Sequence, residues 1–346
     1  MDLKHLLKRG GLLAAANWPA VAIQFVAQTT FQVLLAVPIV GAAVLVAVLL
    51  GADLNNLLQG STRDIFTTVA STLTTHPVAL IAFIAAFAIV LVGGTILMFL
   101  AKGGTVDIML AADATAGSIE DEPLTLSAFR TAARFTMARY VEGCGRLFRR
   151  YLSLGMTLML VYAISGVSYL GFIVYGYRWV GDSGFFVGWA LIAALSAVAL
   201  VFWITTVNVT YLLLQIAMAA QDLRTLAAAR MVWRFIRAEA RALSGVFFVV
   251  FGMVLAATFA SALAWSGVGL ITFVPLVGLL VAPLQIVALL VRGLVFEYIG
   301  LTAMGAYVTL YRRHLMAAGA VSVPTSGEAG SSLNPLGAQS TASALE

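Results

Sequence analysis

Apolar runs long enough to cross a bilayer, about 20 residues each, alternate with short polar stretches along most of the chain, and most of those stretches are basic. The pattern predicts spans within 18–50, at 77–101, at 152–175, within 185–220, at 243–265 and near 283–311. Between them lie a polar segment at 51–76 with room for a short surface helix, a Gly- and acid-containing loop at 102–126, a short loop at 176–184 and a basic helix at 221–242. Pro38 kinks span 1 or ends its straight part, and Trp18 is an interfacial anchor. The stretch 266–311 holds one span plus a surface piece, or two spans. Charge decides for one. With six spans every Lys and Arg except Arg63, Arg178 and Arg292 falls on the side of both termini, and a seventh would strand Arg312 and Arg313 opposite the rest.

Composition agrees: 62% of residues are apolar and 10% charged, against about 25% charged in a soluble domain. The net charge of +5 comes from basic clusters between apolar runs, the habit of cytoplasmic loops rather than of a nucleic-acid face. A lone cysteine, Cys144, excludes an intrachain disulfide, and His5, His76 and His314 are too scattered for a metal site. The N-terminal segment 1–17, with Lys4, Lys8 and Arg9, has the charged start of a signal peptide, but the apolar run after it extends to Leu50, too long for one. The tail 317–346 is small, polar and interrupted by Pro and Gly, the composition of a disordered cytoplasmic segment.

Two arginine stripes punctuate the second half. Arg230, Arg234, Arg237 and Arg241 share one helix face directly before span 5. Displaced by 91 residues, Arg139, Arg146 and Arg150 overlay Arg230, Arg237 and Arg241, and spans 3 and 4 overlay spans 5 and 6. Gly143 and Gly145 would weaken the first of these helices. The N-terminal third repeats the scheme loosely, with Lys8 and Arg9 before span 1. The expected fold is an all-α integral membrane protein. Its six transmembrane helices form three parallel hairpins, each preceded by a basic amphipathic helix, with repeat units at about 1–126, 127–220 and 221–316.

The segments LAAARMVWRFIRAEARALSGVFFVVF at 226–251 and AYVTLYRRH at 306–314 resemble six-span bacterial membrane families that include the membrane domain found beside glycerophosphodiester phosphodiesterases. The catalytic domain of those phosphodiesterases has no counterpart here, so the resemblance implies no enzymatic activity.

Candidate chemistry is sparse. No HExxH, GxSxG, P-loop or EF-hand pattern is present, and nothing around Cys144 makes it catalytic. The arginine stripes (Arg139, Arg146, Arg150; Arg230, Arg234, Arg237, Arg241) either bind anionic lipid headgroups, at about 1 kcal/mol each, or serve as topology determinants alone. Asn17, Gln24, Gln28 and Gln32 fall within about 80° of a helical wheel, so they line a polar path or hydrogen-bond to neighbouring helices. Asn208, Tyr211 and Gln215 form a smaller polar face on span 4. Arg292 lies near the outer end of span 6 and can snorkel, whereas Glu297 lies deeper, as a proton or cation site or a structural carboxyl. The two are about 140° apart on the helix and form no same-face pair; Glu297 needs a donor on another helix, for which the glutamine face of span 1 is a candidate. Gly93, Gly94, Gly103 and Gly104 suit close helix packing or turns. The expectation is a non-enzymatic protein of the bacterial cytoplasmic (inner) membrane with both termini cytoplasmic. It needs no cofactor or metal, binds no nucleic acid, and has anionic membrane lipids and other membrane protein subunits as partners. It would interact with lipid or act as an accessory subunit; the alternative is a transporter for a small or lipid-like substrate.

Overall fold

The structure, a computed structural model, describes residues 2–50, 71, 75–121, 126–183, 185–271 and 275–319. All regular structure among them is helical: α1 Leu3–Ala16, α2 Trp18–Leu50, α3 Pro77–Thr115, α4 Leu126–Ala132, α5 Met137–Ser183, α6 Phe186–Gln221, α7 Thr225–Ala238, α8 Ala240–Ile271 and α9 Pro275–Ala317. Among the described residues, six helices are long and apolar enough to cross a membrane. Those six are α2, α3, α5, α6, α8 and α9, the number read from the hydropathy pattern.

Element boundaries differ from that reading in instructive ways. Span 2 does not end at Ala101. Helix α3 continues to Thr115, so most of the expected loop at 102–126 is helix. Lys102, Gly103, Gly104 and Asp107 have the composition of a loop, but α5 packs against this part of α3. A Cβ on Gly104 would lie 2.7 Å from the Tyr140 carbonyl oxygen, and one on Gly143 would lie 3.3 Å from the Gly104 Cα. These glycines therefore let two backbones approach. The weakening expected at Gly143 and Gly145 does not interrupt the helix, which runs through both; Gly145 faces open space. The true turn follows at Ala116–Gly117, where Gly117 takes φ +60°, a left-handed conformation that glycine adopts without steric penalty.

The basic segment 127–151 is likewise not a separate surface helix. Short α4 ends at Ala132, residues 133–136 are irregular, and α5 then runs unbroken for 47 residues through the first arginine stripe, the span and residues 176–183 of the expected loop. At 1.5 Å per residue this is about 70 Å, roughly twice the hydrocarbon thickness. The second stripe differs: α7 ends at Ala238, Glu239 has a non-helical φ/ψ, and α8 starts at Ala240. Pro38 lies inside α2 and Pro283 inside α9, without ending either helix. Nearly all of the polar segment 51–76 and all of the tail from 320 lie outside the described residues.

In sequence order, α2 packs on α3, α5 on α6 and α8 on α9; α3 also packs on α5, and α9 on α2. Helix α1 lies along α9, where a Cβ on Gly10 would stand 2.3 Å from the Thr302 carbonyl oxygen. The buried core is concentrated at one end of the bundle. Leu13, Leu147, Tyr151, Met218, Phe235, Tyr307 and Tyr311 pack there, and the ring of Phe235 meets Tyr311 edge-on at 5.2 Å. Towards the other end apolar side chains face outwards: Val78, Val167, Leu191 and Leu263 are all more than 70% exposed. In water such surface would be an aggregation hazard, and an acyl-chain environment removes it.

Candidate functional site

The packed end holds a buried ion network that joins the three most distant parts of the chain. Arg9 on α1 donates from Nε to Asp113 Oδ1 at 2.8 Å, from Nη1 to Glu120 Oε2 at 2.6 Å and from Nη2 to the Asp113 carbonyl at 3.1 Å. Asp113 on α3 also accepts from Thr309 Oγ1 at 2.7 Å and from Arg312 Nη1 at 2.8 Å, both on α9. Arg313 Nη2 stands 3.6 Å from Glu120 Oε1, and the Lys8 ammonium donates to the Glu120 carbonyl. Burial disfavours the Arg9 charge, but the Coulombic and hydrogen-bond partnership with Asp113 and Glu120 outweighs it and holds the guanidinium above its ordinary value. Sequence reading had these arginines as topology determinants and the acids as loop residues. The missed signal was a pair of acids, Asp113 and Glu120, at the end of a segment that is otherwise apolar enough to remain helical and buried.

Asn17 belongs to the same end and has all of its capacity used. Its amide donates to the Leu13 and Ala132 carbonyls at 2.9 and 3.0 Å, and its Oδ1 accepts the backbone N–H groups of Arg134 and Phe135 at 2.8 and 3.0 Å. It ties the α1–α2 corner to the α4–α5 corner.

The two arginine stripes have different electrostatic surroundings. Arg139 and Arg146 converge on Asp107 of α3 at 3.4 and 2.6 Å, and Arg146 also reaches Asp222 at 3.7 Å. Arg150 grips Asp222 with both guanidinium nitrogens, one of them at 3.0 Å. That hydrogen bond, then the charges of Arg150 and Arg146, hold the Asp222 carboxyl below the ordinary aspartate value. A polar cleft of about 690 Å³ lined by Asp107, Arg139, Glu142 and Arg146 opens beside them. By contrast Arg230, Arg234, Arg237 and Arg241 are exposed, and none makes an ion pair among the described residues. Helix α7 buries Ala228, Val232 and Phe235 on its inner face. Outside, Trp233 is exposed with the Arg237 guanidinium 4.8 Å from its ring centre.

The intramembrane polar residues do not gather in one place. Gln24 is buried and accepts from Thr105 Oγ1 at 3.3 Å. Gln28 is half-buried and Gln32 exposed. Asn208 is exposed and accepts from the Tyr162 hydroxyl at 2.5 Å. Arg292 is exposed, 5.6 Å from the Phe296 ring centre. Glu297 is half-buried, and the charge it senses is Lys102 on α3 rather than the glutamine face of α2. Lys102 in turn stands 5.5 Å from the ring centre of Tyr211. The Tyr211 hydroxyl and both amide atoms of Gln215 are buried and have no hydrogen-bond partner among the described residues beyond a loose approach to each other. Lys102, Tyr211, Gln215 and Glu297 thus form a loose polar layer across α3, α6 and α9. Sequence reading overlooked Lys102 because it sits one residue past the assigned end of span 2.

Regular structure that is all helical among the described residues, with six such apolar helices, is compatible with a polytopic, membrane-embedded protein. No protein-family model, curated protein or solved structure matches the chain.

Proposed function

We propose that this chain is a non-enzymatic polytopic protein of a bacterial cytoplasmic membrane that holds anionic lipid headgroups on its cytoplasmic face through α7. Its architecture on this reading is three parallel hairpins with both termini cytoplasmic, and it serves a larger membrane complex as an accessory subunit. The resemblance of 226–251 and 306–314 to six-span bacterial families supports the same picture.

The observation that carries it is the contrast between the stripes. Arg139, Arg146 and Arg150 are occupied by Asp107 and Asp222. Topology alone would be served equally well by arginines paired in that way. Arg230, Arg234 and Arg237 are instead exposed on α7, whose other face is buried, beside an exposed tryptophan, and Arg241 is exposed in the first turn of α8. That is the build of an interfacial helix, whose basic side chains each gain about 1 kcal/mol near an anionic surface.

The test is reconstitution in nanodiscs of mixed phosphatidylglycerol and phosphatidylcholine, with the lipids retained around the protein quantified. The wild type is expected to enrich phosphatidylglycerol, and the variant Arg230→Gln/Arg234→Gln/Arg237→Gln/Arg241→Gln to lose most of that enrichment. Equal enrichment in both would exclude α7 as the lipid site.

Transport of a small polar solute is a second reading, favoured by one observation: the buried Tyr211 hydroxyl and Gln215 amide, which have at most each other as partners, beside the charges of Lys102 and Glu297. Against it, the glutamines of α2 do not converge on that layer. If the layer conducts, Glu297→Gln folds normally and changes proton or cation flux in proteoliposomes; no change in flux rejects transport through Glu297.

A further inference from the structure

A second lipid-facing feature lies far from α7. A groove of about 410 Å³ runs between α8 and α9. One wall is made by Ala257, Ala260, Ser261 and Ala264, which at spacings of 3, 4 and 7 residues share one face of α8. Small side chains there leave a trough that the branched side chains of α9 do not fill. Arg292 stands on the other wall, exposed, with no carboxylate partner among the described residues. An unpaired guanidinium beside apolar surface calls for an anion.

We infer that this groove seats one anionic phospholipid, with an acyl chain along the alanine face and its phosphate on the Arg292 guanidinium. Position supports that occupant. Arg292 precedes Arg312 of the ion network by 20 residues (312 − 292), about 30 Å along a helix, which is the thickness of the hydrocarbon layer. Arg292 therefore reaches the interface opposite the ion network, at headgroup depth once its side chain snorkels. Gln285 and Trp265 line the groove at that same end, where hydrogen-bond donors and an indole suit the ester and headgroup region. The inner part of the groove, towards Ala257 and Phe296, is apolar. The order along the groove, polar then apolar, is that of a phospholipid entering from its headgroup. Arginine's planar fork matches phosphate in a bidentate geometry. The inference rests on the membrane reading of α8 and α9 and is independent of α7, which lies at the other interface.

The test titrates delipidated full-length protein in detergent with dioleoyl phosphatidylglycerol and, separately, dioleoyl phosphatidylcholine, and counts bound lipid by native mass spectrometry. One tightly held phosphatidylglycerol per chain is expected. Arg292→Gln should weaken it by about tenfold or more, as loss of a charge-assisted hydrogen bond does, and weaken phosphatidylcholine less, because choline already offsets the charge of its phosphate. Filling the trough with Ala260→Leu should lower retention of both lipids. The quadruple variant at Arg230, Arg234, Arg237 and Arg241 should keep this lipid, so the two lipid readings fail separately. Undiminished phosphatidylglycerol binding by a folded, monodisperse Arg292→Gln protein overturns the inference. So does an Ala260→Leu variant that keeps its lipid but dissociates from oligomer to monomer, because a second copy would then be the occupant.

Discussion

Asp113 accepts from Arg9, Thr309 and Arg312 and is the point where α1, α3 and α9 meet. Its side chain and that of Arg9 are both under 10% exposed, so neither charge has water to fall back on. Removing one partner of such a buried pair costs about 3–5 kcal/mol, whereas replacing both by apolar groups costs far less. Asp113→Asn is therefore expected to lower the thermal midpoint in detergent markedly, and Arg9→Leu/Asp113→Leu to recover part of the loss. If Asp113→Asn melts like wild type, the network does not hold α1 in place. These residues were legible in the sequence as charges but not as partners. Arg9 and Asp113 are 104 positions apart and Asp113 and Arg312 are 199 apart, and no local pattern reports pairing over such separations. Asp107 was hidden the same way, read as a loop acid although Arg139 and Arg146 had both been singled out.

At the scale of elements, what the chain announces plainly is the apolar run, and what it hides is where a helix ends. Lys102 and Asp107 look like a stop signal for α3, yet Asp107 is paired with Arg139 and Arg146 on α5 and Lys102 stands over the Tyr211 ring of α6, and the helix continues to Thr115. Glycine is similarly ambiguous. Gly10 is required because α1 presses on α9: a Cβ would lie 2.3 Å from the Thr302 carbonyl oxygen and 2.8 Å from the Ala306 nitrogen, both rigid backbone atoms. Gly10→Val should push α1 off α9 at a cost of about 1–3 kcal/mol and open residues 1–17 to limited proteolysis. Gly145→Ala is the matching control. Nothing lies within 4 Å of that position, so the exchange should stabilise α5 by up to about 1 kcal/mol. Protection of 1–17 in Gly10→Val equal to wild type would mean that this crossing is not needed to seat α1. The same contact bears on the signal-peptide alternative. Helix α1 buries Leu6, Leu13 and Ala14 and supplies Arg9 to the ion network, so it is part of the folded body.

For the whole molecule, one end is closed by protein and the other is left to its surroundings. The ion network, the tyrosine-rich core, α1, α4 and α7 gather at one end, while the apolar windows of the six long helices are largely exposed. The number of spans was legible because hydropathy is a local property. The asymmetry between the ends was not, because it arises from which helices pack. The polar layer was half legible: Glu297 stands out as a charge in apolar sequence, but Lys102 is recognised as the charge nearest it only once α3 and α9 are packed.

On the membrane reading proposed above, these helices cross a bilayer with the ion network and α7 on the cytoplasmic side. Cys144 is no reporter of sidedness, since it is buried and would resist labelling on either side. In a Cys144→Ala background, single cysteines belong instead at Tyr177 and Leu226, which are 63% and 76% exposed near opposite ends of the bundle. With an impermeant thiol reagent on intact cells, Tyr177→Cys should be labelled at once and Leu226→Cys only after permeabilisation. Labelling of Leu226→Cys in intact cells, with Tyr177→Cys protected, would contradict the account.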